Sequence, residues 1–255
     1  MGIESRNYFS GTSNVVLPVP NKSFFPKEYQ NQTRLAYYAS LFNSVEINSS
    51  FYKIPQHSTV RKWAESVPSY FRFTFKLWKE ITHNKEHLID PAAIRMFAES
   101  IAGVGEKKGC ILVQFPPSFT SDPSYLDRLL QNLQDFNPDR SWKIAVEFRN
   151  RSWYQDLVYE IVEAAGAAVV LHDLPSSATP FRETESELMY LRFHGPNGGY
   201  RGSYTADFLS EYAGYIGDWA KSGKTVFAYF NNTMGAAVNN LITLNSYLDE
   251  LERGD

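Results

Sequence analysis

Eight short apolar segments run along this chain, and each ends in polar or charged residues. Residues two apart on a strand point to the same face, so the paired polar residues at each end share a face. Apolar runs that turn polar at their end are typical of strands buried on both faces of a parallel sheet. The pattern predicts strands at 7–12, 44–51, 71–77, 109–115, 143–149, 167–173, 189–194 and 225–231.

Helical patterns lie between these strands. Asp90 and Asp122 each precede a proline, as is typical of helix N-termini, and Thr205 is a further candidate N-cap. Gly166 and Gly223 suit the ends of two helices. The pattern predicts helices at 34–42, 58–66, 91–101, 125–133, 153–165, 207–221 and 235–251.

The alternation of strand and helix has one gap. Between Asp173 and Met189 the chain has 15 residues with two prolines, which is too short and too broken for a crossover helix. We therefore predict an α/β fold: a single TIM-like (β/α)8 barrel, one domain over residues 1–255, with the helix after strand 6 reduced or replaced by a loop. Active sites of such barrels lie at the carboxyl ends of the strands.

Composition narrows the classes of function. The length of 255 residues matches a single barrel of about 250 residues. The formal net charge of −3 offers no general attraction to nucleic acid or to an anionic membrane. No apolar stretch of about 18 residues and no signal-peptide pattern is present, so we expect a cytoplasmic protein without membrane contact. The single cysteine, Cys110, excludes an internal disulfide.

Two carboxylates are predicted to end strands on different sides of the barrel. Glu46 ends the second predicted strand and Glu147 ends the fifth. Two carboxylates across a small cavity can serve as acid and base, as nucleophile or as metal ligands. Each could instead pair with a neighbouring arginine or lysine and close the interior. Both interpretations stay open.

Three cations are predicted to point to the same place. Lys76, Arg149 and Arg192 lie at or near the ends of the third, fifth and seventh predicted strands. Three cations in one concave site favour an anionic group such as a phosphate or a carboxylate. The alternative is that they form salt bridges to the nearby carboxylates. A buried Lys76 could also have a lowered pKa and act as a base.

Histidines near strand ends are candidates for proton transfer. His194 ends the seventh predicted strand, and His83 follows the third. Glu46, Glu147, Asp173 and His194 could alternatively bind a divalent metal ion. No motif such as HExxH is present, and the three cations would oppose a dication. We therefore expect no cofactor and keep a metal ion as an alternative.

The loops after the last two predicted strands, GPNGGYRGSY and NNTMGAA, are rich in glycine, asparagine and serine. Phosphate sites of barrels often use these loops. The predicted substrate-binding residues are Asn48, Tyr52, Gln114, Arg149, Asp173, Arg192, Tyr229 and Asn231, and the predicted catalytic residues are Glu46, Lys76, His83, Glu147 and His194.

Seven motifs in this order resemble the DUF72 family, also called YecE-like. They are VEINSSFYKIP, FTFKLWKEITH, LVQFPPSF, AVEFRNRSW, LHDLP, YLRFHGPNGGYRGSY and AYFNNTMGAAVNN. The resemblance spans nearly the whole chain and implies an eight-stranded TIM-barrel-like fold in a family without an established function. The positions that match are Glu46, Asn48, Phe51, Tyr52, Lys76, Thr82, His83, Gln114, Pro116, Pro117, Glu147, Arg149, Trp153, Asp173, Arg192, His194, Gly195, Tyr229, Asn231 and Asn232.

The chain departs from the family pattern twice. Family members usually carry a tryptophan soon after the first Gly-Thr-Ser, where this chain has Asn14, Val15 and Val16. Near the last helix the usual Asn-Ala is replaced by Asn239 and Asn240. The first departure removes support for a shared binding surface beside strand 1.

The leading functional hypothesis is an enzyme, a hydrolase, lyase or isomerase, that acts on a small anionic, phosphorylated or sugar-like substrate by acid–base chemistry. One alternative is a metal-dependent hydrolase or isomerase. Another is a non-enzymatic module that binds a phosphate-containing ligand or nucleic acid, although the net charge does not support nucleic acid. Substrate identity, reaction type and oligomeric state stay open at this stage.

Overall fold

A computed structural model describes residues 7–84, 86, 88–182 and 184–254. Within these ranges the chain forms nine strands, which pair only in parallel. They are β1 (Tyr8–Thr12), β2 (Ser44–Ile47), β3 (Arg72–Lys76), β4 (Lys108–Gln114), β5 (Lys143–Glu147), β6 (Ala168–Val169), β7 (Leu171–His172), β8 (Leu188–Phe193) and β9 (Thr225–Phe230). The parallel pairing confirms the predicted class of sheet.

The strands form two sheets with the orders β1-β9-β8-β7 and β2-β3-β4-β5-β6. The two sheets meet where β6 and β7 are separated only by Val170. The predicted sixth strand is therefore two short strands, one in each sheet. At the other edges, an isolated parallel bridge joins Ser13 to Glu46 directly after β1. Gly11 permits this approach, because a Cβ there would strike the backbone oxygen of Ser44.

The helices begin and end close to the predicted positions. Asp90, Asp122 and Thr205 accept the N–H groups of Ala92, Tyr125 and Phe208, which confirms all three predicted N-caps. The helices are α1 (Arg34–Leu41), α2 (Ser49–Tyr52), α3 (His57–Glu65), α4 (Lys79–Thr82), α5 (Pro91–Ile101), α6 (Pro123–Asp135), α7 (Asp156–Ala164), α8 (Ala206–Lys221) and α9 (Ala237–Arg253).

Buried apolar side chains form two layers. The larger cluster lies between the strands and the helices and includes Phe73, Phe75 and Val146. The smaller cluster holds the alternate side chains of the same strands and consists of Cys110, Leu112, Ala145, Ala168, Val170, Leu188, Tyr190, Phe227 and Tyr229. This second face of the strands is also the face of Lys76, Glu147 and Arg192.

Two predicted boundaries were wrong by three residues or more, and one short helix was missed. β2 ends at Ile47, and residues 49–52 form the short helix α2 instead of continuing the strand. The helix predicted from Trp153 begins at Asp156, after a 3₁₀ turn. A further short helix, α4, was not predicted. Between β7 and β8 no helix forms within the described residues, as the broken segment indicated. None of the described helices combines the length and apolar composition needed to cross a lipid bilayer.

Candidate functional site

Four charged residues meet at the carboxyl ends of the strands, and we call Glu46, Glu147, Arg149 and Arg192 the central ion cluster. Arg192 is only 1% exposed. Its Nε and Nη2 lie 3.0 and 2.7 Å from the carboxylate oxygens of Glu46. Its Nη1 lies 2.6 Å from Oε2 of Glu147. Arg192 therefore bridges two carboxylates that are 146 and 45 residues away along the chain.

Arg149 ties the cluster to a histidine. Its Nε donates to Oε1 of Glu147, and its Nη2 lies 2.9 Å from Nε2 of His194. Because a guanidinium can only donate, Nε2 of His194 must accept. We therefore place the ring proton on Nδ1, which lies 3.3 Å from Oδ1 of Asp173. His194 is a neutral imidazole in this arrangement.

Two hydroxyl groups that the sequence analysis missed complete the surroundings of Glu46. The hydroxyl of Ser13 lies 2.6 Å from Oε1, and that of Tyr190 lies 2.6 Å from Oε2. Tyr190 precedes Arg192 by two residues on β8, so the period of the strand was the signal that could have found it. Ser13 follows β1 directly and reaches Glu46 across the isolated bridge.

The charges of the cluster support each other. Burial raises the pKa of Glu46, but the charge and hydrogen bonds of Arg192 outweigh it and hold that pKa below its usual value. Burial likewise opposes ionisation of Glu147, whose pKa is nevertheless held well below its usual value by Arg149 and Arg192. Two carboxylates and two guanidinium groups sum to zero. Arg149 and Arg192 thus both form salt bridges to these carboxylates.

Asp173 anchors the loop that follows β8. Its Oδ1 accepts the backbone N–H of His194 at 2.7 Å, and its Oδ2 accepts the hydroxyl of Tyr204. The Tyr204 hydroxyl in turn accepts the N–H of Gly195 at 2.6 Å. Gly195 has a φ of 102°, and a Cβ there would strike the backbone oxygen of Arg201. This packing holds the loop over His194.

A second group, which we call the Lys76 site, consists of Phe51, Lys76, His83 and Gln114. Nζ of Lys76 lies 2.8 Å from Oε1 of Gln114 and 4.1 Å from the centre of the Phe51 ring. The ring of His83 packs edge-on against Phe51 at 4.8 Å. Its Nδ1 lies 2.8 Å from the hydroxyl of Thr82.

The Lys76 site differs from the cluster in its charge balance. Burial lowers the pKa of Lys76 to about 8, and the charge of Arg192 acts in the same direction, against the carboxylates of Glu147 and Glu46. Burial also lowers the pKa of His83 to about 4, with a further contribution from Lys76. Among the described residues, no carboxylate lies within ion-pair distance of Lys76. The lysine is therefore close to its titration point at neutral pH.

The other predicted site residues are scattered. Asn48 precedes α2, and its side-chain oxygen is buried without a hydrogen-bond partner in the described part of the chain. Tyr52 is 71% exposed at the rim. Asn231 is half-buried after β9. Tyr229 is fully buried, with its hydroxyl 2.6 Å from that of Ser44, so it packs the interior below the site.

The remaining histidines fall as follows. His172 was expected to face the helices, but its ring lies 5.6 Å from the ring of His194 and 3.0 Å from the backbone oxygen of Phe148. His57 begins α3 as expected. His87, also expected near a helix start, lies outside the described residues. His172 thus packs edge-on against the ring of His194.

The four side chains considered as metal ligands do not form a metal-binding group. Within the described residues, no three histidine, cysteine, aspartate or glutamate side chains are grouped closely enough to hold an ion. The oxygens of Glu46 and Glu147 already accept hydrogen bonds from arginine. In this structure, ion pairs with arginine satisfy these carboxylates.

Comparisons with known proteins place the chain in one family. It is 28% identical over 246 residues to the UPF0759 protein YunF of Bacillus subtilis, covering 84% of this chain and 85% of that protein. A DUF72 family protein of Enterococcus faecalis has a similar structure, with a TM-score of 0.78 and 24% identity over 95% of both chains. One from Thermotoga maritima has a TM-score of 0.76 and 25% identity, covering 95% of this chain and 99% of that one.

These similarities confirm the TIM-barrel-like fold that the motifs implied. A family model matches residues 10–254, a longer span than the seven motifs cover. That model is described as "Protein of unknown function DUF72", and this chain belongs to the DUF72 family.

Proposed function

We propose that this protein is an enzyme that acts on a small anionic substrate by proton transfer at the carboxyl ends of the strands, with Lys76 as its central group. The observation that carries the proposal is the position of the Lys76 amine. It is half-buried, it is held by the neutral side chain of Gln114, and its pKa is about 8. An acid–base catalyst works best when its pKa lies near the working pH.

Arg149 is the residue that we assign to the substrate anion. Its Nε and Nη2 are engaged by Glu147 and His194, but its Nη1 makes no hydrogen bond within the described part of the chain. A guanidinium nitrogen that still has donors to offer suits a carboxylate or a phosphate. Arg192, in contrast, uses its nitrogens on Glu46 and Glu147. We assign Arg192 to positioning.

The geometry also supports roles for the histidines. Burial lowers the pKa values of His83 and His194 to about 4, so both are neutral at pH 7. A neutral imidazole can accept or donate one hydrogen bond and does not repel the Lys76 ammonium. We propose that His83 orients the substrate beside Lys76. Direct proton transfer by Glu46, Glu147 or His194 stays a prediction from the sequence.

Binding is tested first with small anions, using inorganic phosphate, pyruvate and sugar phosphates in a thermal-unfolding screen. An anion at about 100 times its Kd should stabilise the wild type by about 2.7 kcal/mol and raise Tm by about 5–10 °C. The shift should disappear in Arg149→Met and persist in Arg61→Met, which alters an exposed pair with Glu65. Equal shifts in both variants would reject the assignment of Arg149.

Turnover is tested on every compound that produces a shift, with products measured by mass spectrometry. Lys76→Met should reduce turnover at least about a hundredfold, because general acid–base groups contribute about 10²–10⁴-fold. Lys79→Met, which removes an exposed lysine in the next helix, should leave turnover within about twofold. A ligand that binds saturably and is recovered unchanged would instead support the non-enzymatic binding module.

A further inference from the structure

The surroundings of Lys76 favour an uncharged amine. The amide oxygen of Gln114 can accept a hydrogen bond from a neutral amine as well as from an ammonium group, and it stabilises the ammonium form less than a carboxylate would. A carboxylate in the same place would favour the ammonium form and raise the pKa. Within the described residues, the nearby carboxylates of Glu46 and Glu147 form salt bridges with Arg192 and Arg149.

Two other lysines lack this combination of features. Lys79 is exposed and lies 3.7 Å from the carboxylate of Glu80. Lys107 is close to the other end of the strands, where its Nζ lies 2.5 and 2.6 Å from the backbone oxygens of Ala64 and Val67. Lys76 combines a neutral partner with a place at the carboxyl end of β3, on the same face as the buried Thr74.

We propose that Lys76 is a nucleophile that forms an imine with a substrate carbonyl group, so that the substrates are small carbonyl compounds with an anionic group, such as 2-oxo acids or phosphorylated aldehydes and ketones. The inference rests on the proposed function, because the anion at Arg149 would hold the carbonyl carbon near Nζ. Lys76 ends β3 and Arg149 follows β5 of the same sheet, and such a rigid arrangement of nucleophile and binding group gives the fixed geometry that the attack needs.

The chemistry balances without a further reactant. The ammonium group first releases a proton, and the free amine attacks the carbonyl carbon, so that a C–N bond forms and the C=O π bond breaks. One proton moves from nitrogen to oxygen to give a carbinolamine. The released proton then returns to this oxygen, which leaves as water. The sum is one ammonium and one carbonyl group giving one iminium ion and one water molecule.

The pKa of Lys76 supports this role. At pH 7 about a tenth of a lysine with a pKa of about 8 is free amine, on the order of a hundredfold more than for an ordinary lysine. The nucleophile is thus present at neutral pH, and the iminium ion that it forms can withdraw electrons from the neighbouring carbon. This would serve the cleavage or isomerisation of bonds next to the carbonyl group.

Reductive trapping tests the proposal. The protein is incubated at pH 8 with glyoxylate, the smallest anionic aldehyde, and sodium cyanoborohydride, and modified lysines are located by peptide mass mapping. Lys76 should be converted to carboxymethyl-lysine at least about tenfold faster than Lys79. Lys76→Arg should abolish labelling at this position, and Lys79→Arg should leave the labelling of Lys76 unchanged. Labelling of Lys76 no faster than that of Lys79 would overturn the proposal.

A second experiment distinguishes the proposal that Lys76 is a nucleophile from the anion-binding function on which it rests. Inorganic phosphate, added before glyoxylate, should slow the labelling of Lys76 by occupying Arg149. Selective labelling that phosphate does not slow, in a protein whose Tm no anion raises, would support the nucleophile and reject the anion site. An anion-dependent Tm without selective labelling would reject the nucleophile and leave the anion site standing.

Discussion

The central ion cluster and the Lys76 site lie side by side at the carboxyl ends of the strands, yet they differ in whether their charged groups have counterions. In the cluster, each oxygen of Glu46 and Glu147 accepts at least one hydrogen bond from an arginine. At the Lys76 site, the amine meets the amide of Gln114 and the ring of Phe51. The first group is matched in charge and the second is not.

This difference separates charges that have counterions from a charge that has none within ion-pair distance among the described residues. A buried ion pair contributes little net stability when complete, but it is costly to break because the remaining charge has no partner. A buried ionisable group whose charged form lacks a counterion shifts its pKa towards neutrality instead. The residue types at the ends of these strands therefore do not reveal function by themselves, since a complete set of partners changes what they can do.

The largest expected effect comes from breaking the cluster. Arg192→Met leaves Glu46 and Glu147 buried without their shared cation, and we expect the free energy of unfolding to fall by about 3–5 kcal/mol. Urea unfolding monitored by tryptophan fluorescence measures this. Arg61→Met is the control, because its 3.6 Å pair with Glu65 is exposed and should cost less than about 0.5 kcal/mol. Similar losses in both variants would contradict a structural role for the cluster.

The next effect is a pH dependence that arises from His194. Burial, with Arg192 acting in the same direction, lowers its folded-state pKa to about 4, against about 6.5 in the unfolded chain. Between these two pKa values the unfolded state binds more protons than the folded state. The contribution of His194 to the free energy of unfolding is therefore fully present above about pH 6.5 and is lost as the pH falls. The loss from pH 7.5 to pH 5 should be about 2 kcal/mol larger in the wild type than in His194→Gln.

Urea unfolding of both proteins at the two pH values measures this difference. Because His172 also has a lowered pKa and remains in both proteins, its contribution cancels in the comparison. If the two proteins lose equal stability, His194 is not the neutral imidazole that the contact with Arg149 requires.

The smallest effect tests whether the Lys76 site can be made to resemble the cluster. Gln114→Glu preserves the shape of the side chain but places a carboxylate 2.8 Å from Nζ. An opposite charge at this distance should raise the pKa of Lys76 by about one unit and so reduce its labelling by glyoxylate at pH 8 by about fivefold. Gln131→Glu, on the exposed face of α6, is the matched control. Faster labelling in Gln114→Glu would show that the amide does not control the charge of Lys76.

Much of the fold was predictable because local patterns and the architecture agree. Apolar runs of the right length marked every strand region, and the Asp-Pro pairs marked the starts of α5 and α6. The end of β2 was not predictable in this way. There the hydroxyl of Ser50 lies 2.7 Å from the backbone oxygens of both Ile47 and Lys76, so its single proton is shared between acceptors at two strand ends, where the chain turns into α2. That contact depends on β3, which is remote in sequence.

The candidate site was predictable in its members and not in their roles. The period of two along a strand was enough to place Glu46, Glu147 and Arg192 on one inner face. It could not show that Arg192 donates hydrogen bonds to both carboxylates, or that Tyr190 donates one to Glu46. Hydrogen bonds between strands far apart in sequence decide these assignments.

By itself, the sequence determined which side chains face the interior and at which end of the strands the polar ones gather, because both follow from the periodicity of extended chain and the direction of parallel strands. Only the tertiary structure decided which charges are matched. The energy of a buried charge depends on the partners within a few ångströms of it, and a linear pattern does not record those distances. Arg192 and Lys76 lie near the ends of similar strands, but Arg192 pairs with two carboxylates, whereas Lys76 pairs with none among the described residues.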